Sequence, residues 1–331
     1  MHDVVIIGGG HNGLVCSAYL AMAGFKVVVL DQRPVAGGAA VTEEFSPGFS
    51  NSVASYAVSL LNPKIIRDLD LAAHGLRIVE RPISNFLPLD DGGFLKVGGG
   101  QTKREVAKFS VRDADRLDDY QTRLAAVADV LRASVLETPP NVIEGSPLTA
   151  ITELIKAGRI GNRIRALGLD LQRDFLDLFA ASAGDFLDGW FESAPIKAAF
   201  GFDCVVGNYA SPYTPGSAYV LLHHSFGEVN GKKGVWGHAI GGMGAITQAM
   251  AKAAVSYGVD IGFRRGCTGS LSKMGTPSAL RRTKAKPSAP RPSPPGLIPS
   301  CSTSTSSMRS PCPRDFVGAW KTGVAARARF V

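Results

Sequence analysis

The chain opens on an apolar run, Val4-Val5-Ile6-Ile7, that breaks into Gly8-Gly9-Gly10-His11-Asn12-Gly13. A run of this kind fits a parallel strand buried on both faces. The next ten residues, Leu14 to Ala23, are apolar and mostly small, as a helix lying close on a sheet requires, and Gly24 ends them. A second apolar run, Val27-Val28-Val29-Leu30, closes on Asp31. Strand, glycine turn, helix, strand and acid make a βαβ unit.

The pattern beyond this unit is mixed. Residues 52–75 read as helical, broken once by Pro63, and residues 78–97 as short strands around Pro82, Pro88 and Asp91-Gly92-Gly93. Leu117, Tyr120, Leu124, Val127, Leu131 and Val135 recur on one face of a long helix over 113–137, which Pro139-Pro140 stops. Further helices are expected at 148–165, at 170–180, and from Ser182, where Asp185 complements the helix start. A loop over 207–217 leads back to apolar text at 218–225. Gly241-Gly242-Met243-Gly244 then precedes an alanine-rich helix, 245–256, and a short strand, 259–261.

The fold class read from this order is α/β: a Rossmann-like domain on a parallel sheet, with an inserted α+β domain and a disordered C-terminal tail. The expected division gives 1–75 to the first part of the dinucleotide domain and 76–230 to a substrate or cap domain. Residues 231–263 return to the first domain, and 264–331 form a basic low-complexity tail.

Charge sharpens that last boundary. The chain of 331 residues carries +8 overall, but residues 264–331 carry +12 and residues 1–263 carry −4. The basic excess therefore says nothing about partners of the body, for which nucleic acid is not expected. Residues 276–315 hold nine Pro and nine Ser in forty positions and show no periodicity, which cannot bury a core. No apolar run approaches the ~18–20 residues of a membrane span, and the opening residues lack a secretory or transit pattern. The expected location is the cytoplasm, or the mitochondrial matrix if the source is eukaryotic, with peripheral membrane contact left open. Cys16 and Cys204 read as buried bystanders, Cys267, Cys301 and Cys312 fall in the tail, and no C-x-x-C pair supports thiol chemistry.

Gly8, Gly10 and Gly13 match G-x-G-x-x-G between a strand and a helix. The first permits the tight turn, the second lets a pyrophosphate approach the backbone, and the third lets helix and strand pack closely. Asp31 ends the second strand, where a carboxylate can accept both hydroxyls of an adenosine ribose. Arg33 and the pair Gly37-Gly38, with Thr42 four residues on, offer a second backbone approach that a nicotinamide dehydrogenase does not need. This favours FAD over NAD. No metal site and no catalytic side chain is identified; His223, His224 and His238 read as histidines satisfied by hydrogen bonds.

The array Gly8-x-Gly10-x-x-Gly13, Asp31, Arg33, Gly37-Gly38 resembles FAD-dependent oxidoreductases of the amine oxidase and phytoene desaturase superfamily. Residues 8–49, 182–200 and 211–254 look like the phytoene desaturase-like proteins within it. The resemblance covers residues 1 to about 263. It implies a two-domain flavoprotein that moves a hydride from a carbon skeleton to flavin, with a small apolar, polyene-like substrate. Gly8, Gly10, Gly13, Asp31, Arg33, Gly37 and Gly38 carry over as cofactor residues, while Gly241, Gly242 and Gly244 match a glycine-rich turn read as structural. Beyond Phe263 only Arg314-Asp315-Phe316 and Trp320-Lys321-Thr322-Gly323 resemble the family. Such islands in Pro/Ser-rich text are what frameshifts around 263–313 and after Gly323 produce. The expectation is a truncated flavoprotein lacking its closing contacts, with activity in question. The competing readings are a single-Rossmann NAD(P)-dependent dehydrogenase and a non-catalytic protein whose basic tail binds polyanions.

Overall fold

A computed structural model describes residues 2–141, 143, 147–267 and 282–284. In chain order the elements begin with β1 (Val4–Ile7), α1 (His11–Met22), β2 (Val27–Leu30), β3 (Thr42–Ser46), β4 (Phe49–Ser52) and α2 (Pro63–Asp68). There follow β5 (Ile78–Glu80), β6 (Asn85–Pro88), β7 (Phe94–Val97), α3 (Thr102–Val106), α4 (Val111–Arg132), α5 (Pro147–Arg165) and α6 (Leu169–Ala180). Next come α7 (Ala183–Trp190), α8 (Ala194–Asp203), α9 (Ala218–His224), β8 (Glu228–Val229), β9 (Lys232–Lys233) and β10 (Gly237–Ala239). The last are α10 (Met243–Ser256), β11 (Asp260–Gly262), β12 (Arg265–Cys267) and β13 (Arg282–Lys284).

The chain divides into two compact units. The first comprises Met1–Tyr56, Ile65–Arg77 and Ile240–Val331; the second comprises Ala57–Lys64 and Ile78–Ala239. The first is a Rossmann-like α/β unit built on a parallel sheet in the order β1-β2-β11. Val4 to Ile7 pair with Val27 to Leu30, and Asp260 to Gly262 pair with Val28 to Leu30. The central strand, β2, is buried along its whole length. β1 differs from the two-faced burial expected of it: Val4 and Ile6 are buried, but Ile7 is 40% exposed. Burial alternates along β1, with Val4 and Ile6 on the covered face and Val5 and Ile7 on the other. Helices α1 and α10 pack against each other.

The second unit is mostly helical, with the antiparallel pairs β5–β10, β6–β7 and β8–β9. Its core gathers around Tyr120, whose ring lies 5.0–5.5 Å from those of Trp190, Phe191 and Phe200. Leu95, Leu117, Leu178, Leu187 and Leu222 complete it.

The pattern of the sequence places β1, β2, α5, α6, α10 and β11 within two residues, whereas α4 ends at Arg132, five residues before the expected 137. Helix α4 begins earlier than expected because Ser110 caps it, accepting the Asp113 amide at 3.1 Å. Residues 52–75 need a larger correction, because only Pro63–Asp68 is helical there. Pro63 does not break this helix but starts it, as its fixed φ and missing N–H allow. Asn62 caps the start by accepting the Lys64 amide at 2.9 Å. Several elements have no counterpart in the sequence reading, the β3–β4 hairpin and α8 among them. Pro47-Gly48 and Ser193-Ala194-Pro195 were their available signals. β12 pairs antiparallel with β13; the low-complexity and frameshift expectations otherwise fall outside the described residues.

Candidate dinucleotide-binding site

The glycine turn is fixed by the strand that it leaves. The Gly8 amide donates to the Leu30 carbonyl at 2.8 Å, carrying the parallel ladder one residue past β1. Gly8 then takes φ +106°, where glycine is favoured, and the chain turns into α1. A Cβ on Gly13 would stand 2.2 Å from the Gly8 carbonyl oxygen, so the first turn of α1 can sit on the loop only with glycine there.

Gly10 is different. It precedes α1 with an ordinary φ of −75°, and a Cβ placed on it would meet nothing nearer than the Gly38 Cα at 3.7 Å. The fold itself therefore does not demand glycine at position 10. The absent side chain leaves the backbone there open to close approach by a group outside the chain. Helix α1 also has no side-chain cap and no acid in its first turn. Its leading amides and the positive end of its dipole suit an anion such as a pyrophosphate.

Asp31 is 8% exposed and braces this turn. One carboxylate oxygen accepts the Gly9 amide at 2.7 Å and the other accepts the Arg33 amide at 2.8 Å. Each oxygen keeps a further lone pair, so a ribose hydroxyl and the loop can share the carboxylate. The Arg33 guanidinium turns to the second glycine pair, donating to the Gly38 carbonyl at 2.8 Å and pairing with Glu43. Gly37 donates its amide to the Gly9 carbonyl at 2.9 Å. Gly38, at φ +58°, lies where a Cβ would be 3.0 Å from the Gly10 Cα. Gly37-Gly38 thus packs backbone on backbone against Gly9-Gly10. The seven residues singled out in the sequence all belong to one loop cluster.

The second glycine-rich helix start is built otherwise. The Thr42 hydroxyl accepts the Gly244 amide at 3.0 Å and donates to the Gly241 carbonyl at 3.0 Å. Ser52 accepts the Met243 amide at 2.9 Å. A Cβ on Gly242 would stand 2.4 Å from Thr42 Oγ1, and one on Gly244 2.7 Å from the Thr42 amide nitrogen. These glycines admit the two hydroxyls, which close the start of α10. Thr42 was noted in the sequence beside Gly37-Gly38, but Ser52 and, on α10, Thr247 and Gln248 were not legible as site residues, because isolated hydroxyls and amides carry no periodic signal.

In the second unit the histidine rings pack among aromatics. His223 lies against Phe226 and His224 against Trp236, and burial holds both below the usual histidine range. His238 is exposed on β10. Asp203, at the end of α8, was not singled out by the sequence, yet burial pushes its carboxyl up to about 6 against the lowering effects of Asn85 and Arg81. Cys204 is buried as expected but Cys16 only partly so, and burial raises both thiols. Among the described residues no cluster of three His, Cys, Asp or Glu could hold a metal ion, and no helix is long and apolar enough to cross a membrane.

Comparison with known proteins bears on this geometry. A family model described as an NAD(P)-binding Rossmann-like domain matches residues 6–69. The chain is 38% identical over 278 residues to pyridine nucleotide-disulfide oxidoreductase domain-containing protein 2 of Rattus norvegicus, across 78% of this chain and 47% of that protein. It is 24% identical over 261 residues to the lycopene-forming phytoene desaturase of Pantoea ananas, across 76% of this chain and 46% of that one. Among solved structures, a redesigned putrescine oxidase covers 80% of this chain and 51% of its own, with 18% identity and a TM-score of 0.49. The chain spans about half the length of the curated relatives it matches.

Proposed function

We infer that this chain, a homologue of pyridine nucleotide-disulfide oxidoreductase domain-containing protein 2 and a member of the phytoene desaturase-like group, binds FAD and serves an oxidoreductase reaction. One observation carries the reading. Neither glycine-rich helix start in the first unit is capped by its own N-cap residue, but the Thr42 and Ser52 hydroxyls accept the leading amides of α10, and no side chain does so for α1 among the described residues. The open start also holds Gly10, where the fold leaves room for a Cβ.

In this reading the α1 amides and the Gly8–Gly10 backbone hold the pyrophosphate, and Asp31 accepts a ribose hydroxyl with its remaining lone pairs. Arg33 keeps Gly37-Gly38 against Gly10, presenting a second stretch of backbone to the same ligand. FAD, when bound, supplies the acceptor for a hydride leaving a carbon skeleton. A relative named phytoene desaturase supports an apolar substrate for that step. No side chain is assigned to proton transfer. Titrating the purified protein with FAD, FMN and NAD, followed by flavin fluorescence and calorimetry, should show FAD bound most tightly. A clear preference for NAD would favour a nicotinamide-dependent dehydrogenase and overturn the FAD assignment.

A further inference from the structure

The loop that carries Gly37 and Gly38 lies between strands, and the residues that fix it come from some 200 positions downstream. Thr247, fully buried on α10, donates its hydroxyl to the Ala40 carbonyl at 2.8 Å. The Gly244 carbonyl, one turn back in the same helix, lies at 3.1 Å. A hydroxyl has a single proton, and the shorter contact leaves the helix for the loop. Gln248 donates its side-chain amide to the Ala36 carbonyl at 3.1 Å. Neither loop carbonyl accepts another hydrogen bond among the described residues. Two neighbouring side chains of α10 therefore grip the loop on either side of its glycines. The gripped segment in turn receives Gly9 through the Gly37 amide.

From this chain of contacts we infer that Thr247 and Gln248 are positioning residues of the dinucleotide site. Acting through residues 36–40, they fix the distance at which the Gly37-Gly38 backbone stands from Gly9-Gly10. The inference rests on reading the start of α1 as the FAD site, since only a ligand there gives the spacing a function. Preorganisation of this kind acts on affinity, because a loop that must be ordered during binding lowers it.

The test uses the full chain with Thr247→Val, which keeps shape and removes the donor, Thr247→Ser, which keeps the donor, and Gln248→Met. The last changes an exposed side chain and serves if the buried valine variant does not fold. Amide hydrogen exchange is followed in two segments, 34–41 and 245–255, and FAD affinity is measured in parallel. Thr247→Val is expected to raise exchange in 34–41 at least about fivefold while leaving 245–255 unchanged, and to weaken FAD binding about tenfold. Thr247→Ser should restore both, and Gln248→Met should show a smaller effect of the same kind. Unchanged exchange in 34–41 with unchanged affinity would overturn the inference. So would faster exchange across 245–255 that serine does not rescue, because that describes a core residue and not a positioning one. If the wild-type chain takes up no FAD but Thr247→Val still loosens 34–41, the grip on the loop stands and the FAD reading fails.

Discussion

Gly13 faces the carbonyl oxygen of Gly8 so closely that a Cβ would stand 2.2 Å from it, while a Cβ on Gly10, three residues earlier, would meet nothing nearer than 3.7 Å. Two glycines of one motif thus answer to different demands. Gly13→Ala should destabilise the first unit, by about 1–3 kcal/mol as an overpacked contact against backbone. Gly10→Ala should leave apo stability almost unchanged and weaken FAD binding at least about tenfold. Urea unfolding and flavin titration on the pair of variants separate the two. Equal losses of stability would show that Gly10 also serves the fold.

Asp31 braces the glycine loop and faces the ribose in the proposed site, so its removal should register in both readouts. Asp31→Ala strips an acceptor from the buried Gly9 amide, which costs about 1–3 kcal/mol when such a group is left unpaired. Affinity for FAD should fall as well. Asp31→Asn retains one accepting oxygen and should recover part of the stability. An alanine variant as stable as wild type would mean that water replaces the carboxylate at Gly9.

The hydroxyls at the start of α10 make a separate prediction. Thr42→Val or Ser52→Ala should each cost about 1 kcal/mol, the usual worth of a helix cap. The double variant should cost less than the sum, because both side chains serve the same helix end. Amide exchange in the first turn of α10 measures the loss directly.

These residues mark how far the sequence could be read. The β1–α1–β2 unit with Asp31 was legible because its signals are local: apolar runs of strand length, glycines at a tight turn, and an acid at a strand end. The partners of that unit were not. Ser52, Thr247 and Gln248 meet the glycine loops across roughly 200 residues, and nothing in their neighbourhoods distinguishes them from solvent-facing polar positions. Helix α8 was missed for a different reason. Its Ala-rich apolar text lacks a polar face, and only Ser193 and Pro195 announce a beginning.

Asp203 gives a prediction in pH. Its carboxyl is raised from the usual value of 3.8 to about 6 by burial, so the folded state holds the proton more tightly than the unfolded chain. Stability attributable to this group is therefore present below about pH 4 and declines as pH rises to about 6, then stays level. Asp203→Asn should match wild type near pH 4 and exceed it by about 1–3 kcal/mol at pH 7.5. His223 and His224, held low by burial, act in the opposite sense, destabilising the fold as pH falls below 6.5. The difference between variant and wild type cancels their contribution. A difference that does not vary with pH would show that Asp203 is not protonated on folding.

The parallel pairing of β11 with β2 and the packing of α10 on α1 also set an order of events during synthesis. The second unit takes nearly all of its chain from one continuous stretch, Ile78–Ala239, and can condense while later codons are still being read. The first unit holds the beginning of the chain but needs Ile240 onward to place the third strand and the helix that grips the loop over 36–40. Closing so long a span is slow, and the strand edges wait unpaired until it happens. The candidate site is therefore completed late, because Gly8 to Gly13 are translated well before the helix and strand that finish the unit, Met243–Ser256 and Asp260–Gly262. A chaperone would therefore act on this protein before Gly262 has emerged, on the waiting strand edges, and a bound cofactor only afterwards.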